Sequence, residues 1–404
     1  MNNSATKILI LDDEPFMHKL LVRMLANLGY TQISACDNGH AALELINSTN
    51  DSPNLILLDL NMPEMDGLEF VRRLVERRYS GSLILISGED ERMQQAAEKL
   101  AMAHQITVLG HLHKPATPEG LAELIGKWML PQQDKLQAVK KNYGADEVRA
   151  AITFGELVNY YQPKVDIASG RVVGVETLVR WNHPQDGLVF PDQFIGVAEE
   201  HSLIDDLTRV VLAGALTQAK AWQNAGLMLQ VAVNLSMDNL RSLDFLDEVI
   251  GLATKTGVPP QMVELEVTES RLMGDLRTPL EILSRLRLKR FRLSIDDFGI
   301  GNSSLAQLRD LPFDELKIDQ SFVHGACAND KLRAMFDHSL GLAKQLGMSV
   351  VAEGVEDQAD WDFVRRTACD IAQGYFIAKP MPAADLPSWM QSWQTTFGRP
   401  NRRI

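Results

Sequence analysis

Two pairs of adjacent carboxylates close apolar, strand-like runs in this sequence: Asp12 and Asp13 in ILILDDEP, and Asp296 and Asp297 in FRLSIDDFG. Neighbouring anions repel and a strand end has no structural need for both, so each pair points to a bound divalent cation. Three further strand-end residues accompany the first pair: Asp59 in NLILLDL, Ser87 in LILISG and Lys114 in HLHKP. One carboxylate as nucleophile, with a cation, a lysine and a hydroxyl to absorb phosphoryl charge, is what an aspartyl-phosphate requires. The second pair has a larger company. Glu176 and Arg180 lie in RVVGVETLVRW, Asn234 in LQVAVNLS, Glu266 and Glu269 in MVELEVTES, Lys317 and Asp319 in DELKID, Glu353 in VVAEGVE and Gln373 in DIAQGYF. Glu176, Glu266, Asp296, Asp297, Asp319 and Glu353 set against Lys317 and Arg180 make a cluster that needs added cations. Carboxylate and amide oxygens, without ligand-spaced His or Cys, select Mg²⁺ or Mn²⁺ over zinc. Two such ions about 3.5–4 Å apart, with Asp296 bridging, activate a water and stabilise the leaving oxygen of a phosphodiester.

The elements that would position these residues follow from hydrophobic spacing. Over residues 1–126, the runs KILIL, QISACD, LILLDL, SLILIS and ITVLGHL alternate with stretches of helical period such as FMHKLLVRMLANLG and GLEFVRRLVERR. Five strands alternating with helices predict a doubly wound α/β parallel sheet, whose functional residues gather at the carboxyl ends of the strands. Residues 127–145 carry few apolar groups and are expected to be a linker. Residues 146–398 resume the alternation over about 250 residues, the length of a (β/α)8 barrel with its chemistry at the C-terminal mouth. Residues 399–404 read as a basic tail.

Composition narrows the function further. Of 404 residues, 45% are hydrophobic and 23% charged, enough for large buried cores, and the net charge of −13 argues against DNA or RNA as a partner. No apolar run reaches the ~18 residues of a membrane span, and MNNSATK lacks the apolar core of a signal peptide. The expectation is a cytoplasmic protein without membrane insertion. The three cysteines, Cys36, Cys327 and Cys369, are scattered and read as reduced thiols.

With these residues in view, residues 1–126 resemble the receiver domain of two-component response regulators. The resemblance implies that Asp59 accepts the phosphoryl group, that Asp12, Asp13 and Asp59 hold Mg²⁺, that Ser87 and Lys114 form the switch, and that the Lys114–Pro115 bond is cis. It implies a sensor histidine kinase or phosphotransfer protein as partner. His111 stands where receivers usually carry an aromatic switch residue, and the stretch from Ser87 to Lys114 is long. The barrel resembles the EAL domain, the cyclic-di-GMP phosphodiesterase of bacteria, through YYQPKVD, LVRWNHP, NLS, ELEVTES, DDFG, KID, AEGVE and AQGY in register, with Glu176-Thr177-Leu178 as the defining tripeptide. This resemblance implies two Mg²⁺ or Mn²⁺ ions held by Glu176, Asn234, Glu266, Asp296, Asp297 and Asp319, with Lys317 orienting the attacking water. Glu353 is the general-base candidate and equally a candidate ligand; Gln162, Arg180 and Gln373 would contact substrate, and Glu269 would hold the loop after Asp297. After DDFG, Ile300 and Asn302 replace the threonine and aromatic residue usual in the family. The expected function is hydrolysis of cyclic-di-GMP to pGpG under control of Asp59 phosphorylation, in a homo-oligomer of dimer size or larger. The alternatives are a barrel that binds the nucleotide without cutting it and signals to a protein partner, or a phosphorylation-dependent scaffold. Several residues also have purely structural readings: Arg180 as a surface ion-pair partner, Gln162 and Gln373 as core amides, Asn234 as a helix cap, Trp181 as a packing residue and His183 as a structural loop residue.

Overall fold

The structure, a computed structural model, describes residues 6–47, 52–77, 79, 81–88, 97–101, 106–129, 143–268, 277–300, 308–309 and 311–397. The chain divides into two compact units, Met1–Gln137 and Ala138–Ile404. Glu269, Asn302, the tail at 399–404 and residues 130–142 of the expected linker lie outside the described residues, as does most of the stretch between Ser87 and Ile106.

In the first unit, β1 (Lys7–Leu11), β2 (Gln32–Cys36), β3 (Leu55–Asp59), β4 (Ser82–Ser87) and β5 (Thr107–His113) form one sheet in the order β2-β1-β3-β4-β5. Every pairing is parallel. The central runs LILLD and SLILIS are buried at every position, as a sheet covered on both faces requires. Helices α1 (Pro15–Asn27), α2 (Gly39–Asn47), α3 (Gly67–Glu76) and α4 (Pro118–Met129) supply the cover. In α3, Phe70, Val71 and Leu74 share the buried face, and Asp66 caps the helix by accepting from the Glu69 amide. Because α4 continues to Met129, it enters the segment read as linker. The Lys114–Pro115 bond is cis.

The second unit is a closed barrel. Its strands are β6 (Leu157–Asp166), β7 (Val172–His183), β9 (Gln230–Leu235), β10 (Val263–Thr268), β11 (Arg292–Phe298), β12 (Glu315–Ile318), β13 (Ser349–Ala352) and β14 (Ile371–Ala372), closed by pairing of β6 with β7. Two short strands, β8 (Gly187–Val189) and β15 (Met381–Pro382), extend β7 and β6. One feature departs from an all-parallel barrel: β6 runs antiparallel to both neighbours. Only residues 167–171 separate β6 from β7, far short of the dozen or more that a parallel crossover needs, so the two form a hairpin. The remaining strands are parallel and bring their C-terminal ends to one mouth. Helices such as Ile204–Asn224 pack outside, burying Leu207, Val211, Leu212, Ala215, Leu216 and Trp222 at helical spacing.

Candidate active site

At the barrel mouth the alternation of strand side chains poses a problem: adjacent residues face opposite sides, yet Asp296 and Asp297 are adjacent. The structure resolves it with a β-bulge. Ile295 pairs with Leu316 and Phe298 with Ile318, so β11 spends one extra residue there. Asp297 takes up the slack in the left-handed region, φ 56°, a conformation costing a non-glycine residue about 1–2 kcal/mol. The result puts carboxylate oxygens of Asp296, Asp297 and Glu353 within 4.8 Å of one another. A second trio, Glu176, Glu266 and Asp296, meets the same limit, with Asp296 common to both. Local strain of this kind recurs at functional positions.

Lys317, 1% exposed, stands at the centre. Its Nζ lies 2.8 Å from Glu353 Oε1, 3.0 Å from Glu266 Oε2, 3.1 Å from Asp296 Oδ1 and 3.5 Å from Glu176 Oε2. One ammonium has three protons and one charge. The excess negative charge appears in the titration of its neighbours. Burial, outweighing Lys164 and Lys317, pushes Glu266 up to about 7. Burial and the adjacent Asp296 push Asp297 up to about 6. Burial likewise holds Glu353 well above the ordinary carboxylate range. Glu176 goes the other way: burial would raise it, but Lys317, Lys164 and hydrogen bonds from Gln373 and Asn234 hold it low.

The amides are organised around Glu176. Asn234 donates to Glu176 Oε1 at 2.8 Å, and Gln373 donates to Glu176 Oε2 at 2.6 Å. Asn234 therefore does not cap a helix; Ser236 and Asn239 make that cap. Gln162 and Gln373 are buried and bonded to each other at 3.0 Å, Gln162 donating also to the Ala378 carbonyl, which matches their reading as core amides. Gln373 Oε1 is nevertheless buried without a partner. Gly374 lets Gln373 sit there: at φ 158°, a Cβ would fall 2.2 Å from the Val355 carbonyl oxygen. Arg180 is not a surface ion-pair partner. It is 7% exposed, lies 5.0 Å over Phe190 and 5.7 Å over Tyr160, and makes no ion pair among the described residues. Trp181 is buried, its indole donating to Glu156, and His183 packs beside it at 4.9 Å, both structural as read. Asp319 caps the turn after β12 through the Ser321 amide and borders the same hollow as Glu176, Asp297 and Glu353. That hollow measures about 260 Å³. A second, of about 390 Å³, shares Leu178 with it and is lined mainly by apolar residues including Pro191 and Ile195. Ile300, beyond the bulge, is 57% exposed.

In the first unit, Lys114 Nζ lies 2.7 Å from Asp59 Oδ2 and 3.0 Å from both Asp12 Oδ2 and Glu14 Oε1. Oxygens of Asp12, Asp13 and Asp59 fall within 4.8 Å of one another. Burial raises the Asp59 pKa against the opposing pull of Lys114. Ser87, at the end of β4, is buried and its carbonyl accepts from the Lys114 amide at 3.1 Å. His111 bonds Glu98 through Nε2 at 2.7 Å, with Nδ1 buried and unpartnered. Sequence reasoning missed Glu14, and also a buried charged group below the barrel cluster, Lys164, Glu264 and Glu315. The alternation of Glu264 with Glu266 in VELEV was the available signal for the latter.

Comparisons with known proteins match both units of the chain. An EAL domain model matches residues 145–380, and a response regulator receiver domain model matches residues 8–126. The cyclic di-GMP phosphodiesterase RocR of Pseudomonas aeruginosa is 33% identical over 378 residues, 93% of this chain and 96% of RocR. NbdA of the same organism, also a cyclic di-GMP phosphodiesterase, is 39% identical over 260 residues, 64% of this chain but only 33% of NbdA. Among solved structures, a PaMucR phosphodiesterase in complex with c-di-GMP is 38% identical, with a TM-score of 0.57, covering 60% of this chain and 98% of that one.

Proposed function

Because the chain belongs to the EAL domain family and carries a response regulator receiver domain ahead of its barrel, we propose that the barrel hydrolyses cyclic di-GMP to linear pGpG and that phosphorylation of Asp59 sets its rate. The observation that carries this reading is the buried carboxylate cluster around Lys317, built at the cost of a bulge and a left-handed Asp297. The donor set fits hard divalent cations: carboxylates and an amide, no thiolate or imidazole, with burial first and neighbouring carboxylates second pushing Glu266 and Asp297 up to about 7 and 6. Glu176, Asn234, Glu266, Asp296, Asp297 and Asp319 would hold Mg²⁺ or Mn²⁺, which supplies charge neutralisation at the phosphate and a more acidic water.

The side chains then divide the work. Asn234 and Gln373 fix both oxygens of Glu176, so its carboxylate is oriented before any ligand arrives. Lys317 holds the carboxylates together and offers its protons to the attacking water. Glu353 accepts from Lys317 at 2.8 Å and has a raised pKa, which suits it to take the water's proton. Arg180, buried and without an anionic partner among the described residues, is suited to a phosphate oxygen. The apolar hollow beside Leu178 is of a size to bury a planar base. In the receiver domain, Asp59 is the nucleophile toward a phosphodonor kinase, Asp12 and Asp13 would hold a divalent cation beside it, and Lys114 neutralises the incoming phosphoryl group.

The test is a chromatographic assay of purified protein with cyclic di-GMP and Mn²⁺. Linear pGpG is expected from the wild type and none from Glu176→Ala. Uncut nucleotide with both proteins would contradict the proposal.

A further inference from the structure

The inward layer beneath the carboxylate cluster is charged, where barrel interiors are ordinarily filled by branched apolar side chains. Lys164 of β6 is 3% exposed, and Glu264 and Glu315 are 1% exposed each. Lys164 Nζ donates to Glu266 Oε1 at 2.6 Å, Glu264 Oε1 at 2.8 Å and Glu315 Oε1 at 3.2 Å. Arg292 donates to Glu264 Oε2 at 3.2 Å, and the Ser294 and Ser349 hydroxyls reach Glu315 at 3.4 Å. Lys164 and Arg292 stand against Glu264 and Glu315 in this layer. Glu266 spans the two levels: Oε1 rests on Lys164 below and Oε2 on Lys317 above, at 3.0 Å.

Stability alone does not account for this layer. Well-packed apolar residues stabilise an interior as well as a buried ion network or better, because the network must offset the desolvation of each charge. Lys164, Glu264 and Glu315 are also absent from the lining of the hollow at the mouth. What Lys164 does supply is a fixed direction for one oxygen of Glu266, the most deeply buried carboxylate of the cluster. We infer that Lys164 is a positioning residue: it fixes the Glu266 carboxylate from beneath and so sets the affinity of the cluster for divalent cations. This rests on the reading of Glu266 as a cation ligand. Partners one step behind a ligand typically change metal affinity by about 10–100-fold when removed.

The test titrates Mn²⁺ calorimetrically into the full chain without nucleotide, each variant's fold being checked by thermal melting. The receiver is untouched in every variant, so differences report on the barrel. K164M/E264Q/E315Q removes the lysine without leaving Glu264 and Glu315 as buried carboxylates that have lost it, and E264Q/E315Q keeps Lys164 on Glu266. The triple variant is expected to bind Mn²⁺ about 10–100-fold more weakly, and the double variant within about 3-fold of wild type. Equal weakening in both would reduce the layer to general packing and overturn the inference. Wild-type affinity in the triple variant, with binding lost in E266Q, would overturn it while leaving Glu266 a ligand. Wild-type affinity in E266Q would remove the underlying reading instead. If the triple variant does not fold, K164Q/E264Q/E315Q decides by the same outcomes.

Discussion

Replacing Lys317 with methionine keeps the volume of the side chain and removes the one charge at the centre of the cluster. Four carboxylates, of Glu353, Glu266, Asp296 and Glu176, lie 2.8–3.5 Å from its Nζ and lose that partner together. Removing one member of a buried ion pair costs about 3–5 kcal/mol, because the survivor stays buried and unpaired. For a unit of this size each kcal/mol moves the midpoint by about 2–4 °C, so the barrel transition falls by roughly 6–20 °C in EDTA. Glu266 and Glu353 are already pushed toward protonation by burial, which places the loss at pH 7 near the low end and makes it grow as pH rises. Mn²⁺ in excess replaces the missing charge: at 100 times its dissociation constant it returns about 2.7 kcal/mol, most of a loss at that low end. Circular dichroism melts of Lys317→Met and wild type, with EDTA and with Mn²⁺, measure both quantities. A variant that melts within a degree of wild type in EDTA, and gains nothing from Mn²⁺, would refute the picture of an over-charged, cation-seeking cluster.

The raised carboxylates make a pH prediction of definite sign. A group whose folded pKa lies above its unfolded value stabilises fully below the unfolded pKa and loses that contribution as pH rises through the folded one. With Glu266 at about 7 and Asp297 at about 6, the metal-free barrel should lose stability from pH 4.5 to 7, and saturating Mn²⁺ should flatten that slope; a flat metal-free profile contradicts it. Cation binding must also release protons over that range, so Mn²⁺ affinity should rise with pH, measurable by calorimetry in buffers of different ionisation heat. Asp59→Asn should abolish incorporation of a phosphoryl group and any effect of beryllofluoride on hydrolysis; a preserved beryllofluoride response would show that Asp59 is not the control point. The hydrogen bond that His324 Nδ1 donates to Asp360, at 2.8 Å, raises the imidazole pKa above 6.5, so its contribution is complete below that pH and vanishes as pH rises through the folded value. The melting difference between His324→Gln and wild type should therefore shrink on going from pH 6 to 9, and a constant difference would argue against an ion pair.

Strand ends were legible because an apolar run broken by a carboxylate is an expensive arrangement unless the carboxylate is used. That signal alone assembled Glu176, Glu266, Asp296, Lys317 and Glu353, and likewise Asp12, Asp59 and Lys114. The antiparallel setting of β6 was legible too, in the five residues between it and β7, but the barrel's length spoke louder. Two other features needed coordinates. The bulge at Asp296–Asp297 depends on register with β12, which no local spacing encodes. The hydrogen-bond chain from Gln162 through Gln373 to Glu176 joins residues some 200 positions apart, and an isolated glutamine in a strand carries no trace of its partner. Lys164 was hidden for a related reason. A lysine in an apolar strand usually snorkels to the surface, and only closure of the barrel sets it against three glutamates.

The central claim, that the cluster around Lys317 directs a water onto a phosphodiester of cyclic di-GMP, is tested most directly by hydrolysis in ¹⁸O-labelled water with Mn²⁺. Mass analysis should find pGpG carrying one ¹⁸O on its terminal phosphate in the wild type, with no product from Glu176→Gln or in EDTA. Intact cyclic di-GMP in the wild type, or equal turnover in Glu176→Gln, would contradict the account.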